Sequence, residues 1–417
     1  MQVRISAAER NSPFTLNARS AVKLRRIWVF HRPEFLLLHC RAMLKGHATS
    51  EGTARYRDRF PVLLDAGHFR RHEPVPGAGE LWISSIGLGT YLGETDDAAD
   101  TSYTEAASHA LRSGINVLDT AINYRHQRSE RNIGEALEKL VASGELQRDE
   151  VLVCTKAGYL SFDGSMPADP RGYFMSEYVE KGILDPGEIA GGMHCMAPRY
   201  LEDQLERSRR NLRLETIDAF YVHNPESQLA SVDRSTFRKR LKQAFEALER
   251  AVKGGKIRCY GAATWNAFRV APSERDHLSL AEVVEVAREA AGDRHHFRFI
   301  QLPFNLAMPE AYALRNQHFG KQSASTLELA AREGVMVVGS ASLYQGHLTS
   351  GLPDFVGQRL GMESDAANAI QFARSAPGLA VALVGMGRKQ HVEENIQVAA
   401  RPPAPAEEWK KLFTRAA

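Results

Sequence analysis

Residues 115–124, which read INVLDTAINY, decide the fold. The apolar half of this stretch follows Gly114 and contains Ile and Val, a pattern typical of a short buried strand. Asp119 closes the strand, and Tyr124 follows five positions later in the next loop. The stretch therefore predicts a carboxylate and a phenol at one end of a buried strand.

Two further apolar runs end in a chemically useful side chain. Residues 151–156 (VLVCTK) end in Lys156, and residues 219–223 (AFYVH) end in His223. If these strands lie side by side and parallel, their final residues meet at one edge. An acid, a phenol, an amine and an imidazole are then expected around a shared space.

The chain repeats one unit of strand and helix. Strand-like runs begin near residues 83, 115, 151, 217, 257, 297, 335 and 380, and helix-like segments lie between them. Eight strands alternating with eight helices predict an α/β fold, the (β/α)8 TIM barrel. The C-terminal ends of all eight strands then surround one mouth, where barrel enzymes place their active sites.

One gap in this repeat is larger than the others. About 40 residues, 158–196, separate the third strand from the next helix and are rich in Gly, Pro, Tyr and Met. A long loop at the mouth of a barrel usually belongs to the site. We expect an insertion after the third strand that acts as a lid or wall for the substrate; the alternative is an exposed insertion without a role.

The first 75 residues differ from the rest. Seven arginines precede residue 50 against only Glu9 and Glu34. This composition predicts a poorly structured extension over residues 1–75, followed by the barrel over 76–417. The extension is interpreted as a disordered tail, an organellar transit peptide or an upstream mis-start, with Met43 as the alternative first residue.

Composition excludes several classes of function. The 417 residues are 43% hydrophobic and 25% charged, with a net charge of +3, which does not favour binding to nucleic acid or to an acidic membrane surface. No apolar run is long enough to span a membrane. The four cysteines have no ligand spacing, so we expect no metal site and no disulfide. A cytoplasmic protein, monomeric or weakly homo-oligomeric, is predicted.

The four strand-end side chains fit a proton-transfer reaction. Lys156 is costly to bury unless Asp119 pairs with it. A lysine ammonium near Tyr124 is expected to lower the pKa of the phenol and make it a general acid and base. His223 would then orient and polarise a carbonyl group. A reaction that needs one proton and no covalent intermediate suits hydride transfer from a nicotinamide.

Residues 87–93 (GLGTYLG) partly resemble a dinucleotide-binding fingerprint. Their spacing is GxGxxxG rather than GxGxxG, and four polar or acidic residues, 94–97, follow where an apolar helix should begin. A Rossmann domain is therefore not favoured.

From about residue 81 to residue 399 the chain resembles the aldo-keto reductase superfamily. The matching segments occur in the family's order and cover about three quarters of the chain: residues 87–91, 119–124, 134–137, 155–156, 218–225 and 255–258, Gln301, and residues 392–395. The resemblance implies a TIM barrel, NADPH as cofactor (NADH being possible) and a catalytic tetrad of Tyr124, Asp119, Lys156 and His223.

The resemblance also implies a set of cofactor contacts. Gln301 would meet the carboxamide, Leu343 and Gln345 the pyrophosphate, and Glu394 and Asn395 the adenine. The full set is Gly89, Thr90, Tyr91, Thr264, Gln301, Leu343, Gln345, Arg388, Glu394 and Asn395.

Three positions depart from the family's pattern. Ala263 and Thr264 replace a Ser-Asn pair, so this pair keeps one polar side chain, the Thr264 hydroxyl, for the carboxamide. Ser340 stands where a tyrosine commonly stacks on the nicotinamide ring. The basic residues of the adenosine-phosphate stretch are displaced by one position, which leaves Arg388 or Lys389 to meet a 2′-phosphate.

The sequence thus predicts an NADPH-dependent enzyme that interconverts a small aldehyde or ketone and an alcohol, with Tyr124 as the acid and base. Two alternatives stay open. The same barrel could isomerise or oxidise a sugar phosphate, with Arg171 and Lys181 of the insertion near the anion. It could also be a non-catalytic subunit that senses the cofactor for a membrane complex.

Overall fold

A computed structural model describes residues 42–413, apart from residues 75, 76 and 78. One compact unit begins at residue 42. Residues 50–72, which the sequence assigned to the extension, form helices and a strand within this unit, so that part of the predicted extension is folded. The transit peptide, tail or mis-start predicted before Met43 lies outside the described residues, as does Cys40.

Eight parallel strands close into a barrel in chain order, with the last strand paired to the first. The strands are β1 Ile86–Gly89, β2 Val117–Asp119, β3 Leu152–Ala157, β4 Ile217–His223, β5 Ile257–Ala263, β6 Phe297–Pro303, β7 Met336–Ser340 and β8 Leu379–Gly385. The predicted (β/α)8 barrel, with an insertion after its third strand, is confirmed.

Eight helices surround the barrel: α1 Asp97–Arg112, α2 Arg128–Ala142, α3 Pro198–Leu212, α4 Arg234–Lys253, α5 Leu280–Ala291, α6 Thr326–Arg332, α7 Asp365–Arg374 and α8 Lys389–Ala399. Five of them begin after an Asp or Ser whose side chain accepts a backbone N–H of the first turn. Among the described residues, no helix has both the length and the apolarity to cross a membrane.

The strands are buried on both faces, which explains their nearly unbroken apolar sequences. One set of residues, including Leu152, Cys154, Cys259 and Phe299, packs inside the barrel. Burial raises the pKa of the Cys154 and Cys259 thiols, so both stay protonated and unreactive. The barrel interior is therefore a packed core, and only its C-terminal end is open to ligands.

Residues 42–72 cover the opposite end of the barrel. They form two short helices, Ser50–Asp58 and Pro61–Asp65, and a strand, Phe69–His72, which pairs antiparallel with Leu81–Ser84. The Asp218 carboxylate accepts the backbone N–H of Ala48 at 2.7 Å and meets Arg148 at 2.6 Å. These buried contacts fasten the segment to the start of β4.

The insertion and the first turn of α3 share a small core. Tyr178, Leu184, Cys195 and Tyr200 form a buried cluster separate from the barrel core. The two ends of the insertion meet in an antiparallel bridge between Tyr159 and His194. The segment is therefore closed at its base, directly beside the mouth.

Candidate active site

A buried ion pair lies beneath the mouth. The Lys156 Nζ donates to Asp119 Oδ1 at 2.5 Å and to the Thr120 carbonyl at 2.7 Å. Gln301 Nε2 donates to the other Asp119 oxygen at 2.8 Å. Burial alone would lower the pKa of Lys156, but the Asp119 carboxylate raises it overall. The amine is therefore charged, as the sequence predicted.

Tyr124 lies directly above this pair. Its ring centroid is 4.8 Å from Lys156 Nζ. Burial raises the pKa of Tyr124 above its ordinary value, and the nearby Lys156 offsets only part of that rise. The expectation that the pKa would be lowered is therefore wrong. The phenol is protonated at neutral pH, which is the form that a proton donor needs.

His223 completes the cluster. Its ring stands edge-on to the Tyr124 ring, with centroids 5.8 Å apart. Burial, with the positive charge of Lys156, holds the pKa of His223 well below its usual range. The ring is therefore neutral and offers one N–H donor. Its buried Nδ1 has no hydrogen-bond partner among the described residues.

The loop that carries Tyr124 is strained. Arg125, His126 and Gln127 are three successive non-glycine residues in the left-handed region, with φ of 47°, 54° and 72°. The buried Arg125 guanidinium fastens this turn, because it donates to the Glu94 carbonyl at 2.7 Å and to the Asp100 carboxylate, also at 2.7 Å. The hydrogen bonds of Arg125, the residue after Tyr124, thus fix the position of Tyr124.

A cavity of about 970 Å³ opens above these side chains. It contains most residues that the sequence assigned to the site: Gly89, Thr90, Tyr91, Asp119, Tyr124, His223, Thr264, Gln301, Leu343, Gln345, Glu394 and Asn395. Lys156 lies below its floor and is fully buried. Arg388 is exposed at the start of α8 and does not line the cavity, which differs from its expected place.

One side of the cavity offers open backbone and an unpaired hydroxyl. A Cβ placed on Gly385 would meet nothing within 4 Å, so the space over the end of β8 is open. The buried Ser342 hydroxyl, in the loop after β7, has no partner among the described residues. Bare backbone and an unpaired donor suit a phosphate-bearing ligand.

Two residues predicted to contact the carboxamide also form hydrogen bonds within the barrel. The Thr264 hydroxyl donates to the Gln301 carbonyl at 3.2 Å, and the Gln301 amide donates to Asp119. Both residues line the cavity, but each is already hydrogen-bonded within the barrel. These hydrogen bonds support the ion pair and the end of β5.

The insertion forms the other side of the cavity. It contributes Tyr159, Leu160, Ser161, Phe162, Met166 and Met193, which face Trp265 across the mouth. Arg171 and Lys181, considered as partners for an anionic substrate, do not line the cavity, and Lys181 pairs with Glu177 at 2.6 Å. The insertion is therefore a largely apolar wall.

Sequence reasoning missed two residues beside His223. Tyr159 follows β3 by two positions and packs edge-on against the His223 ring; an aromatic residue so close to a strand end was an available signal. His194 lies in the loop that ends the insertion, yet it is buried and hydrogen-bonded to the His223 carbonyl. Nothing in its local spacing indicates that contact, because it forms between distant segments.

Residues 85–414 match the model of the Aldo/keto reductase family. The chain belongs to this family. YqkF of Bacillus subtilis, an uncharacterized oxidoreductase, is 23% identical over 346 residues, which cover 81% of this chain and 94% of that protein. L-glyceraldehyde 3-phosphate reductase of Escherichia coli is 26% identical over 66% of this chain and 62% of its own length.

A solved structure shares the fold. The aldo/keto reductase from Klebsiella pneumoniae, determined with NADP and acetate, matches with a TM-score of 0.53 and 20% identity over 80% of this chain and 91% of that chain. Family membership makes this protein an oxidoreductase that depends on a nicotinamide cofactor. The resemblance seen in the sequence is thereby confirmed.

Proposed function

We propose that this aldo/keto reductase reduces an aldehyde or ketone to an alcohol with NADPH, and that Tyr124 is its proton donor. One observation carries the proposal. The charged Asp119–Lys156 pair, a protonated Tyr124 and a neutral His223 meet at the floor of one cavity.

Each side chain has a defined task. When bound, the reduced nicotinamide supplies the hydride that adds to the carbonyl carbon. Tyr124 donates its hydroxyl proton to the carbonyl oxygen, and the nearby Lys156 ammonium stabilises the phenolate that remains. His223 donates its N–H to the same oxygen and holds the carbonyl in line. In the oxidative direction the phenolate takes the proton back.

The cofactor would lie along the ends of β7, β8 and β1. Ser342, Leu343 and Gln345 would meet the pyrophosphate, and Glu394 with Asn395 the adenosine. The preference for NADPH rests on Arg388 and Lys389, two cations at the N-terminus of α8, where a 2′-phosphate is also favoured by the helix dipole. Lys389 meets Glu393 only at 3.5 Å and is more than half exposed, so it is available to a phosphate.

The cavity favours an uncharged substrate with an apolar remainder. Among its lining residues there is neither Lys nor Arg. Five of the exposed large apolar side chains of the described chain surround this one mouth: Tyr91, Leu92, Met166, Met193 and Trp265. We expect an alkyl or aryl group to bind more favourably to such a rim than a sugar phosphate does.

The proposal is tested with Tyr124→Phe, which removes the hydroxyl and keeps the ring. Loss of a general acid predicts a fall in kcat of about 10²- to 10⁴-fold. NADPH binding, followed by quenching of Trp265 fluorescence, should be unchanged. Tyr173→Phe is the matched control, because Tyr173 belongs to the insertion but does not line the cavity. A Tyr124→Phe enzyme with most of its kcat and normal cofactor binding would refute the assignment.

A further inference from the structure

The peptide between His223 and Asn224 is held at both of its polar ends. The His223 carbonyl accepts from His194 Nε2 at 2.7 Å, and the Asn224 N–H donates to the Ala263 carbonyl at 2.5 Å. Asn224 itself is left-handed, with φ of 46°. The proposed catalytic histidine is thus the last residue before a sharp turn whose peptide plane is fixed by β5 on one side and by the insertion on the other.

His194 is in turn oriented by two other side chains. Gln228 Nε2 donates to His194 Nδ1 at 2.8 Å, and Arg240 donates to Gln228 Oε1 at 2.6 Å. Because Arg240 binds Gln228 Oε1, the amide nitrogen of Gln228 points toward His194. This nitrogen can only donate, so His194 Nδ1 is the acceptor. The proton of His194 therefore resides on Nε2, aimed at the His223 carbonyl. Burial lowers the pKa of His194 to about 4, so this neutral form persists at neutral pH.

The base of the insertion is built tightly around the same carbonyl. The Tyr159 ring stands edge-on to both histidine rings, with centroids 5.2 Å from His223 and 5.3 Å from His194. Its hydroxyl accepts from Asn224 Nδ2 at 3.0 Å. A Cβ on Gly158 would lie 2.4 Å from the His223 oxygen. No side chain fits there, so only glycine permits this approach.

We propose that His194, oriented by Gln228, is a positioning residue for His223, and that the insertion thereby takes part in catalysis as well as forming the cavity wall. The proposal rests on the proposed function of His223. Because His223 Nδ1 has no partner among the described residues, no side-chain hydrogen bond of its own fixes the ring. Its place depends on its backbone and on Tyr159, and His194 holds that backbone.

The first test compares His194→Leu with His194→Gln. Leucine leaves the His223 carbonyl buried and unpaired, whereas glutamine keeps an N–H that can reach it. For His194→Leu we expect kcat to fall by about 10- to 100-fold, the loss typical of a small misplacement of a catalytic group, with NADPH binding unchanged. His194→Gln should recover most of that loss. Wild-type kcat in His194→Leu would overturn the proposal.

The decisive test repeats His194→Leu in a His223→Ala background. A residue that acts through His223 has nothing left to position there, so the second substitution should change kcat by less than about twofold. An equal loss in both backgrounds would show a general structural role and would overturn the proposal. Tyr178→Phe removes a buried hydrogen bond to the Ser161 carbonyl elsewhere in the insertion and should leave kcat unchanged.

A measurement without turnover separates this proposal from the proposed function. In ¹H–¹⁵N spectra of apoprotein labelled at histidine nitrogens, the His223 signals are assigned as those absent from His223→Ala. They should coincide in wild type and His194→Gln and shift or broaden in His194→Leu; unchanged signals would overturn the proposal. If His194→Leu does not fold, Gln228→Met tests the same contact with a smaller effect. The proposed function is tested separately, because it fails if the Tyr124→Phe enzyme keeps its activity.

Discussion

Tyr124 shows how burial and charge compete at a single residue. The sequence placed a cation beside the phenol, and the structure confirms that contact. The sign of the pKa shift was nevertheless wrong, because the depth of burial depends on the insertion and on loops that local sequence does not reveal. A phenol kept neutral at pH 7 suits carbonyl reduction, since the proton is present before the hydride arrives.

The charge of the cavity wall predicts a substrate preference. Without a lysine or arginine in that wall, kcat/KM for hexanal should exceed that for glyceraldehyde 3-phosphate. Met193→Arg places a cation at the mouth and should shift the ratio of the two values toward the phosphate ester by about tenfold, the scale of one charge-assisted contact.

Met175→Arg is the matched control for this experiment. Met175 is also a methionine of the insertion, and 40% of its surface is exposed, but it does not line the cavity. Its substitution adds the same charge to the same segment and should leave the ratio unchanged. A wild-type enzyme that prefers the phosphate ester would contradict the proposed apolar substrate.

At the scale of helices and strands, two helical glycines allow a matched test of packing. A Cβ on Gly134 of α2 would lie 2.4 Å from the Asn211 carbonyl of α3, whereas one on Gly357 of the helix Asp354–Leu360 would have only an ordinary contact of 3.5 Å. Gly134→Ala should lower the free energy of unfolding by about 1–3 kcal/mol through overpacking. Gly357→Ala should raise it by about 0.5–1 kcal/mol through helix propensity.

Urea unfolding of the two variants measures both effects. The same chemical change is made in each, so opposite signs would identify the close approach of α2 and α3 as the cause. Equal changes in the two variants would show that the Gly134 contact relaxes at little cost.

The barrel strands and helices were predictable because each carries a strong local signal. A short apolar run such as residues 151–156, with two valines, is typical of a buried strand, and Ser or Asp marks most helix starts. The helix Ser50–Asp58 has a capping residue, Thr49, but it lacks an apolar face, since Tyr56 is its only large apolar residue. Its place at the barrel end depends on distant partners such as Asp149 and Glu150, and local sequence does not show them.

At the scale of the whole molecule, buried histidines predict an acid-labile fold. Burial lowers the pKa of His68 to about 3 and that of His194 to about 4, against about 6.5 in the unfolded chain. Between pH 6.5 and 4 the unfolded state therefore binds more protons than the native state. The free energy of unfolding should fall as the pH is lowered, by about 1.4 kcal/mol per pH unit for each such histidine.

Glu226 acts in the opposite direction, because burial raises its pKa to about 7 and the native state keeps its proton. Between pH 7 and 4.5, its effect on the free energy of unfolding cancels that of about one histidine. Urea unfolding at pH 8, 6 and 5 measures the net slope, and His68→Asn isolates one contribution. The slope of the variant should be flatter than that of wild type over pH 6.5 to 4. An unchanged slope would mean that His68 is protonated in the folded protein.

The regular repeat made the barrel predictable, and with it the meeting of Asp119, Lys156 and His223 at one mouth. Contacts that join remote parts of the chain were not predictable. Gln301 meets Asp119 across 182 residues, and Ala48 meets Asp218 across 170. The local sequence around Gln301 or Asp218 does not identify the partner, because many other glutamines and aspartates have similar surroundings in the sequence.

The three left-handed residues after Tyr124 have one further consequence. Glycine would adopt that turn with less strain, but it would leave the loop free to sample other shapes before a substrate arrived. With Arg125 anchored at this turn, the conformational entropy of placing the phenol is lost when the chain folds, long before any encounter with a carbonyl compound. Substrate binding then costs less conformational entropy at the proton donor. Tyr124 already has the position that proton transfer requires when the carbonyl compound arrives.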